Sequence, residues 1–350
     1  MSAAAINPLP ARTWSSNWII NRHEDLTWFI GSALVGYLAL GLMMAGFPIQ
    51  PLYFIWLLGI DGPHVVATVT RTYFDRTERK KLGMWLWILI PFSMVGPAAV
   101  SLGYASLFFL FAVCWQHFHI VKQHFGFIML YKAKNQDRDK FDFKLDRYLL
   151  LSSLVLPLAL FVVATQDWLG KWEAVQVAAR VCTIGYLLFG AYFLYHQARK
   201  FLSGQTLNAP KLLLLAVVIP LQWIAFHYAT SFGADGILRA GIPLGMFHSF
   251  QYHRLMWFHN KNRYETENAQ ARYGLAATLA KGGLGVYLFI SIGLNLAIMV
   301  LPAMIFGAVQ AVKAAGWGVA FTHYALDARI WHVREDKDLA AALRMSRPPS

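Results

Sequence analysis

The sequence predicts an all-α, polytopic membrane protein of about ten transmembrane helices with both termini in the cytoplasm. Three observations predict it. The chain is 57% hydrophobic, 15% aromatic and only 14% charged, whereas a soluble chain carries nearer a quarter charged residues. Apolar runs such as "LTWFIGSALVGYLALGLMMAG" and "LGVYLFISIGLNLAIMVLPAMIFGAV" are long enough to cross a bilayer. Basic residues then crowd every second connection.

The helices fall at about 27–46, 51–70, 82–102, 104–131, 148–166, 176–198, 211–229, 237–259, 284–308 and 315–333. The connections after helices 2, 4, 6 and 8 hold five, six, three and four Lys or Arg. The other connections hold Lys171 and Lys313, with Arg239 just inside helix 8. That asymmetry puts the even-numbered exits and both termini in the cytoplasm. Residues 1–26 read as a cytoplasmic segment without the apolar core of a cleavable signal. Residues 27–333 read as one transmembrane domain, and 334–350 as a cytoplasmic tail whose "RMSRPPS" end is expected to be disordered. The implied setting is an integral membrane protein of a bacterial inner membrane.

Composition also excludes classes. The net charge of +13 resides mostly in short loops, so it is an orientation signal and implies no nucleic-acid partner. Cys114 and Cys182 are the only cysteines and lie within helices, so no disulfide framework or CxxC site is expected.

The functional signal is histidine. Nine of twelve histidines belong to helices 2, 4, 8 and 10: His64; His117, His119 and His124; His248, His253 and His259; His323 and His332. His64 stands seven residues before Arg71, His124 eight before Lys132, His253 eight before Lys261, and Asp327 seven before Arg334. Helical rise places these positions roughly 10–12 Å above the inner loops. Ionisable side chains at membrane depth are costly and mark function by default. A lone histidine on an apolar helix is more often a packing residue; four clusters at one depth favour a shared metal site. His196, His259 and His332, near the inner boundary, read as interfacial, and so does His227 near the outer one.

Spacing adds detail. Asp61 and His64 lie at i, i+3 around Pro63, which is expected to break the helix and aim Asp61 inward. His323 and Asp327 are i, i+4 neighbours on one face. His117 and His124, seven apart, share a face, whereas His119/His124 and His248/His253 are five apart and spread by about 140°. "HIVKQHFGFIMLYKAKN" and "HSFQYHRLMWFHNKN" echo each other, each with His-x4-His and a Lys-Asn ending. The expected ligands are His64, His117, His124, His248, His253, His323 and Asp327, with Asp61 and His119 as ligands or as partners that orient ligand rings. Gln116, Gln123 and Gln251 are candidates to support the ligands or simply to bridge helices. Lys122, Arg254 and Arg329 either bind an acidic group on a substrate or snorkel to the surface.

Imidazole and carboxylate donors suit iron, zinc, manganese or copper, and the donor number favours two iron ions. Such a centre binds dioxygen as co-substrate. Trp115, Phe118, Phe125, Phe127, Trp257, Phe258 and Trp331 around it fit an apolar, lipid-like substrate, although core packing is the commoner role of such rings. Histidine-rich helices with His-x4-His pairs resemble the membrane-bound di-iron fatty acid desaturase and hydroxylase group, although no HxxHH box occurs. Single His and Asp residues on separate spans are similar to the bacteriorhodopsin-related β-carotene dioxygenase family. Either resemblance implies a metal-dependent membrane oxygenase that hydroxylates, desaturates or cleaves a lipid or isoprenoid. A hydroxylase or desaturase would draw electrons from an external donor protein; a dioxygenase would not. Two rivals stand beside this reading: a haem-binding electron-transfer or haem-handling protein, and a metal-ion or proton transporter.

Overall fold

A computed structural model describes residues 13–307 and 309–345. The first twelve residues of the expected N-terminal segment and the last five of the expected tail lie outside the described residues. Each of the ten expected segments is helical: α1 Arg22–Met44, α2 Ile49–Thr72, α3 Met84–Ser101, α4 Ala105–Lys134, α5 Lys140–Thr165, α6 Glu173–Leu202, α7 Ala209–Thr230, α8 Gly236–Tyr264, α9 Gly283–Phe306 and α10 Gln310–Ile330. Eight are long and apolar enough to cross a membrane; α8 and α10 are long but more polar, and they are two of the histidine-bearing helices. Among the described residues, strand is confined to the two-residue pair Trp14–Ser15 and Leu207–Asn208, aligned in parallel. The protein is therefore an all-α, polytopic membrane protein.

The chain divides into two units. The first comprises residues 1–26 and 124–240. Within it α5 packs against both α6 and α7. Asp139 caps α5 by accepting from Asp142 N–H, and Asn208 caps α7 by accepting from Lys211 N–H. The most apolar window of α6 is only 6% buried, so this helix turns nearly all of its apolar surface outward, as a lipid-facing helix does.

The second unit comprises residues 27–123 and 241–350. Here α2 packs against α9 and α10, and α10 also packs against α3. At the α3–α10 crossing Gly318 lies against the backbone of Ser93, where any Cβ would collide with the Ser93 carbonyl. The short helix Arg76–Leu82 is capped by Asp75, which accepts from Thr77 and Glu78 N–H. Arg263 at the end of α8 locks onto that turn, 3.2 Å from Asp75 and 3.1 Å from Glu78.

Helix α2 departs from expectation. Pro63 does not break it. The helix widens to a π-helical stretch over Ile55–Asp61 and resumes as an α-helix at Gly62, with Pro63 in its first turn. That first turn needs no N–H from Pro63. Leu57 O accepts from Gly62 N–H across the widened turn, and the side chain of Asn295 on α9 also donates to Leu57 O at 3.0 Å and approaches Leu58 O at 3.4 Å. Asn295 comes so close that a Cβ at position 62 would run into it, which is why glycine stands there. Such π-turns are rare and recur at functional sites.

Candidate metal centre

One turn beyond the widened stretch, α2 presents His64. Around it stand His119 from α4, His248 from α8 and His323 from α10, all at most 9% exposed. Ring centroids lie 4.5 Å apart for His64–His323, 4.7 Å for His64–His248, 4.9 Å for His119–His323 and 5.0 Å for His119–His248. His64, His119 and His323 each offer a ligand nitrogen within 4.8 Å of the other two. The Nε2 atoms of these three rings have no hydrogen-bond partner. Each such buried orphan costs about 1–3 kcal/mol, and three that converge fit a bound cation.

The opposite sides of two of these rings are tied down in the same way. Ser249 Oγ lies 3.3 Å from His64 Nδ1 and donates to Asp61 at 2.8 Å. Thr68 Oγ1 lies 2.6 Å from His323 Nδ1 and 3.4 Å from Asp327, to which Tyr252 also donates at 3.0 Å. With each hydroxyl proton directed to its carboxylate, His64 and His323 donate through Nδ1. Their Nε2 lone pairs then face the centre. That is how metal-binding imidazoles are usually held, by a hydrogen bond from the second nitrogen. The Asp327 carboxylate also stands 3.7 Å from His323 Nε2, within reach as a further oxygen donor.

The expected residues sort by geometry. His253, half-buried, has both ring nitrogens engaged, with Tyr287 OH at 2.9 Å and the Ile60 carbonyl at 3.1 Å, so it clamps α8 to α2 and α9. His117 is buried on α4 but does not join the trio. His119 does, because residues two apart on a helix point about 200° apart. His124 is buried and falls in the first unit. Gln123 donates to His248 O at 2.9 Å and to Gln251 at 3.2 Å, and Gln251 donates to Phe29 O, a bridge between helices. Gln116 is half-buried. Lys122 is exposed and Arg254 half-buried. Arg329 is exposed and lies 3.9 Å over the Trp85 ring. His259, expected at an interface, is instead fully buried. Cys114 and Cys182 are both free.

Sequence reasoning passed over Thr68, Ser249, Tyr252 and Tyr324. Tyr324 stacks on His119 at 4.4 Å, and Trp115 stacks on Phe321 at 4.5 Å beside it. The one available signal was position: Thr68 follows His64 by four residues, hence shares its face. Compared with known proteins, the chain matches no family model, no curated protein and no solved structure.

Proposed function

We propose that the protein is a membrane-embedded, metal-dependent oxygenase that acts on an apolar, lipid-like substrate. The observation that carries the reading is the trio of buried imidazoles from α2, α4 and α10, whose unpartnered nitrogens converge. The donors are nitrogen and oxygen with no thiolate among them, which favours iron, then manganese, copper or zinc. His64, His119 and His323 would hold one ion, with Asp327 as a further ligand. His248, in ring contact with His64 and His119, makes a second ion possible in number. Bound iron would supply dioxygen chemistry. The chain's own residues fix the rings, through Thr68 and Ser249, and surround them with the apolar cluster of Val65, Phe108, Phe321 and Tyr324, which excludes water. Helix endings rich in Lys and Arg support a centre on the cytoplasmic side.

The geometry disfavours the haem reading. The four rings are edge to face within 4.5–5.0 Å of their neighbours, and Tyr252 and Tyr324 close the flanks at 4.6 and 4.4 Å. A macrocycle would have to displace several of them.

Metal analysis of protein purified in mild detergent without added metal tests the reading. We expect about one to two transition-metal ions per chain. The triple change His64→Ala, His119→Ala and His323→Ala is expected to remove them while the helical circular-dichroism signal persists. Dioxygen uptake in the presence of a lipid extract should fall with the metal. A metal-free wild-type protein, or a triple variant with full metal content, overturns the proposal.

A further inference from the structure

In the first unit α5 and α6 part to leave a groove of about 450 Å³. That volume falls within the range of about 300–1,000 Å³ common among ligand sites. Leu160, Val163 and Ala164 of α5 and Ile184 of α6 give it an apolar lining, and Arg180 of α6 lines it too. The walls are fixed. Gly170, in the turn between the helices, lies so close to α5 that a Cβ there would meet the Val163 carbonyl at 2.8 Å. Gln176 Nε2 donates to Gly170 O at 3.0 Å. Further along, Ser153 and Tyr186 join the two helices through hydroxyl groups 3.1 Å apart.

Arg180 is the anomaly. It is exposed, and it has no hydrogen bond, ion pair or ring contact with any described residue. An arginine among the apolar residues of a spanning helix is costly and calls for an anion. Exposed Trp168 and Trp172 mark the start of α6 as the level of the lipid head groups. Arg180 follows Trp172 by eight residues, so its backbone lies about 12 Å deeper along the axis. Helical side chains point back towards the N-terminus. The guanidinium therefore reaches towards the phosphate level while its stem lies along the groove.

The charge decides between occupants. A packed helix would bury Arg180 and would have to bring an acidic residue to its depth. The α6 of a second copy has none beyond Glu173, at the helix start. A phospholipid supplies both parts at once, a phosphate for the guanidinium and an acyl chain for the apolar walls.

We propose that the groove between α5 and α6 binds one phospholipid, with its phosphodiester on Arg180 and one acyl chain along Leu160, Val163, Ala164 and Ile184. Hydrogen bonds from arginine to phosphate are charge-assisted and among the stronger ones. No histidine, cysteine or carboxylate lines the groove, so the lipid is held there and not transformed. The site belongs wholly to the first unit and does not depend on the metal reading of the second.

Native mass spectrometry tests the site. The full-length protein is delipidated in mild detergent and then given phosphatidylglycerol, or diacylglycerol with the same chains. We expect one phosphatidylglycerol per chain to survive activation that strips all other lipid, and no diacylglycerol to do so. Arg180→Gln is expected to lower the retained fraction about tenfold or more. Ala164→Trp fills the groove, leaves Arg180 in place and should do the same. Arg199→Gln, which removes an exposed arginine outside the groove, should change nothing. Equal retention of phosphatidylglycerol and diacylglycerol by the wild type overturns the proposal, and so does full retention by Arg180→Gln; either result is that of ordinary surrounding lipid. Loss in Arg180→Gln with full retention in Ala164→Trp overturns it as well, since the phosphate would then be bound without the groove. Should Arg180→Gln fail to fold, the comparison of the two lipids and the Ala164→Trp variant still decide.

Discussion

The two units solve one problem in opposite ways. Each buries ionisable groups inside helices that face a membrane. In the first unit the groups neutralise each other. Lys132 lies 2.9 Å from Asp137 and 2.8 Å from Asp146, and Lys211 lies 3.0 Å from Asp146 and 3.4 Å from Asp137. Asp142 is likewise held between His196, at 2.7 Å, and Lys200. Two cations answer two anions and nothing further is needed. In the second unit the imidazoles of His64, His119 and His323 approach each other, and each leaves its Nε2 without a hydrogen-bond partner. A closed set of charges is a device for holding helices together. An open set of donors pointing at one place is a device for holding something else.

The largest effect expected from that contrast lies in the first unit. Lys132→Met leaves three charges where four were balanced, and one buried carboxylate loses its cation. Removing one partner of a buried pair costs about 3–5 kcal/mol. We expect unfolding in detergent to shift by that order, and the metal content of the folded fraction to remain unchanged. The His64, His119 and His323 alanine variants should do the reverse, losing metal with little loss of stability. If Lys132→Met strips the metal while leaving stability intact, the contrast between a structural and a ligand-binding cluster is wrong.

A smaller effect sharpens the second half of the comparison. Thr68 touches His323 Nδ1, Tyr252 OH and Asp327, and would touch no metal. Thr68→Val keeps the shape and deletes the hydroxyl. Partners that orient a ligand ring are typically worth 10–100-fold in metal affinity. A chelator competition should therefore show about that loss in Thr68→Val, and Thr68→Ser should restore most of it. Equal affinities in Thr68→Val and wild type would mean that the His323 ring is positioned by packing alone.

How much of this the sequence disclosed follows from what each kind of signal encodes. The ten helices were legible because a bilayer demands about twenty apolar residues per span. Even α8 and α10 were found, since their basic endings mark them where their polarity obscures them. The helices that supply the centre were legible too, because histidines are rare at that depth. Which face of α4 mattered was not. His117 and His119 are two residues apart, and local sequence does not say which of two nearly opposite faces meets α2 and α10. Thr68 and Ser249 were invisible for another reason: hydroxyl residues inside helices commonly bond their own backbone, as Thr72 does to Thr68 O. Pro63 suggested a break, but the chain continues through a π-type turn whose Leu57 and Leu58 carbonyls meet Asn295 from α9, a partner 237 and more residues away. His259 looked interfacial by its place near the end of α8; the Trp331 ring that packs on it, opposite Tyr264 of its own helix, comes from beyond the end of α10.

The smallest expected effect concerns Asp137, in the connection between α4 and α5. Burial alone would push its carboxyl above the usual range, but Lys211 and Lys132 outweigh burial and hold it below. A carboxyl whose folded pKa is depressed contributes stability that is fully present above its unfolded value, about 3.9. That contribution is lost as the pH falls through the folded value. Asp137→Asn should therefore cost of order 1 kcal/mol near neutrality, and the gap from wild type should close on acidification below about pH 4. Asp137 is mostly covered, at 13% side-chain exposure, so salt should erode the difference only modestly. A chelator series bears on the contrast between the units. A balanced ionic cluster holds nothing that a chelator can withdraw, whereas a metal held by imidazoles is withdrawn by one. Helical signal and metal content followed together along one chelator series should thus separate, with metal leaving first and the helices persisting. Coincident loss of the two would show that a single event governs both units and would remove the distinction between them.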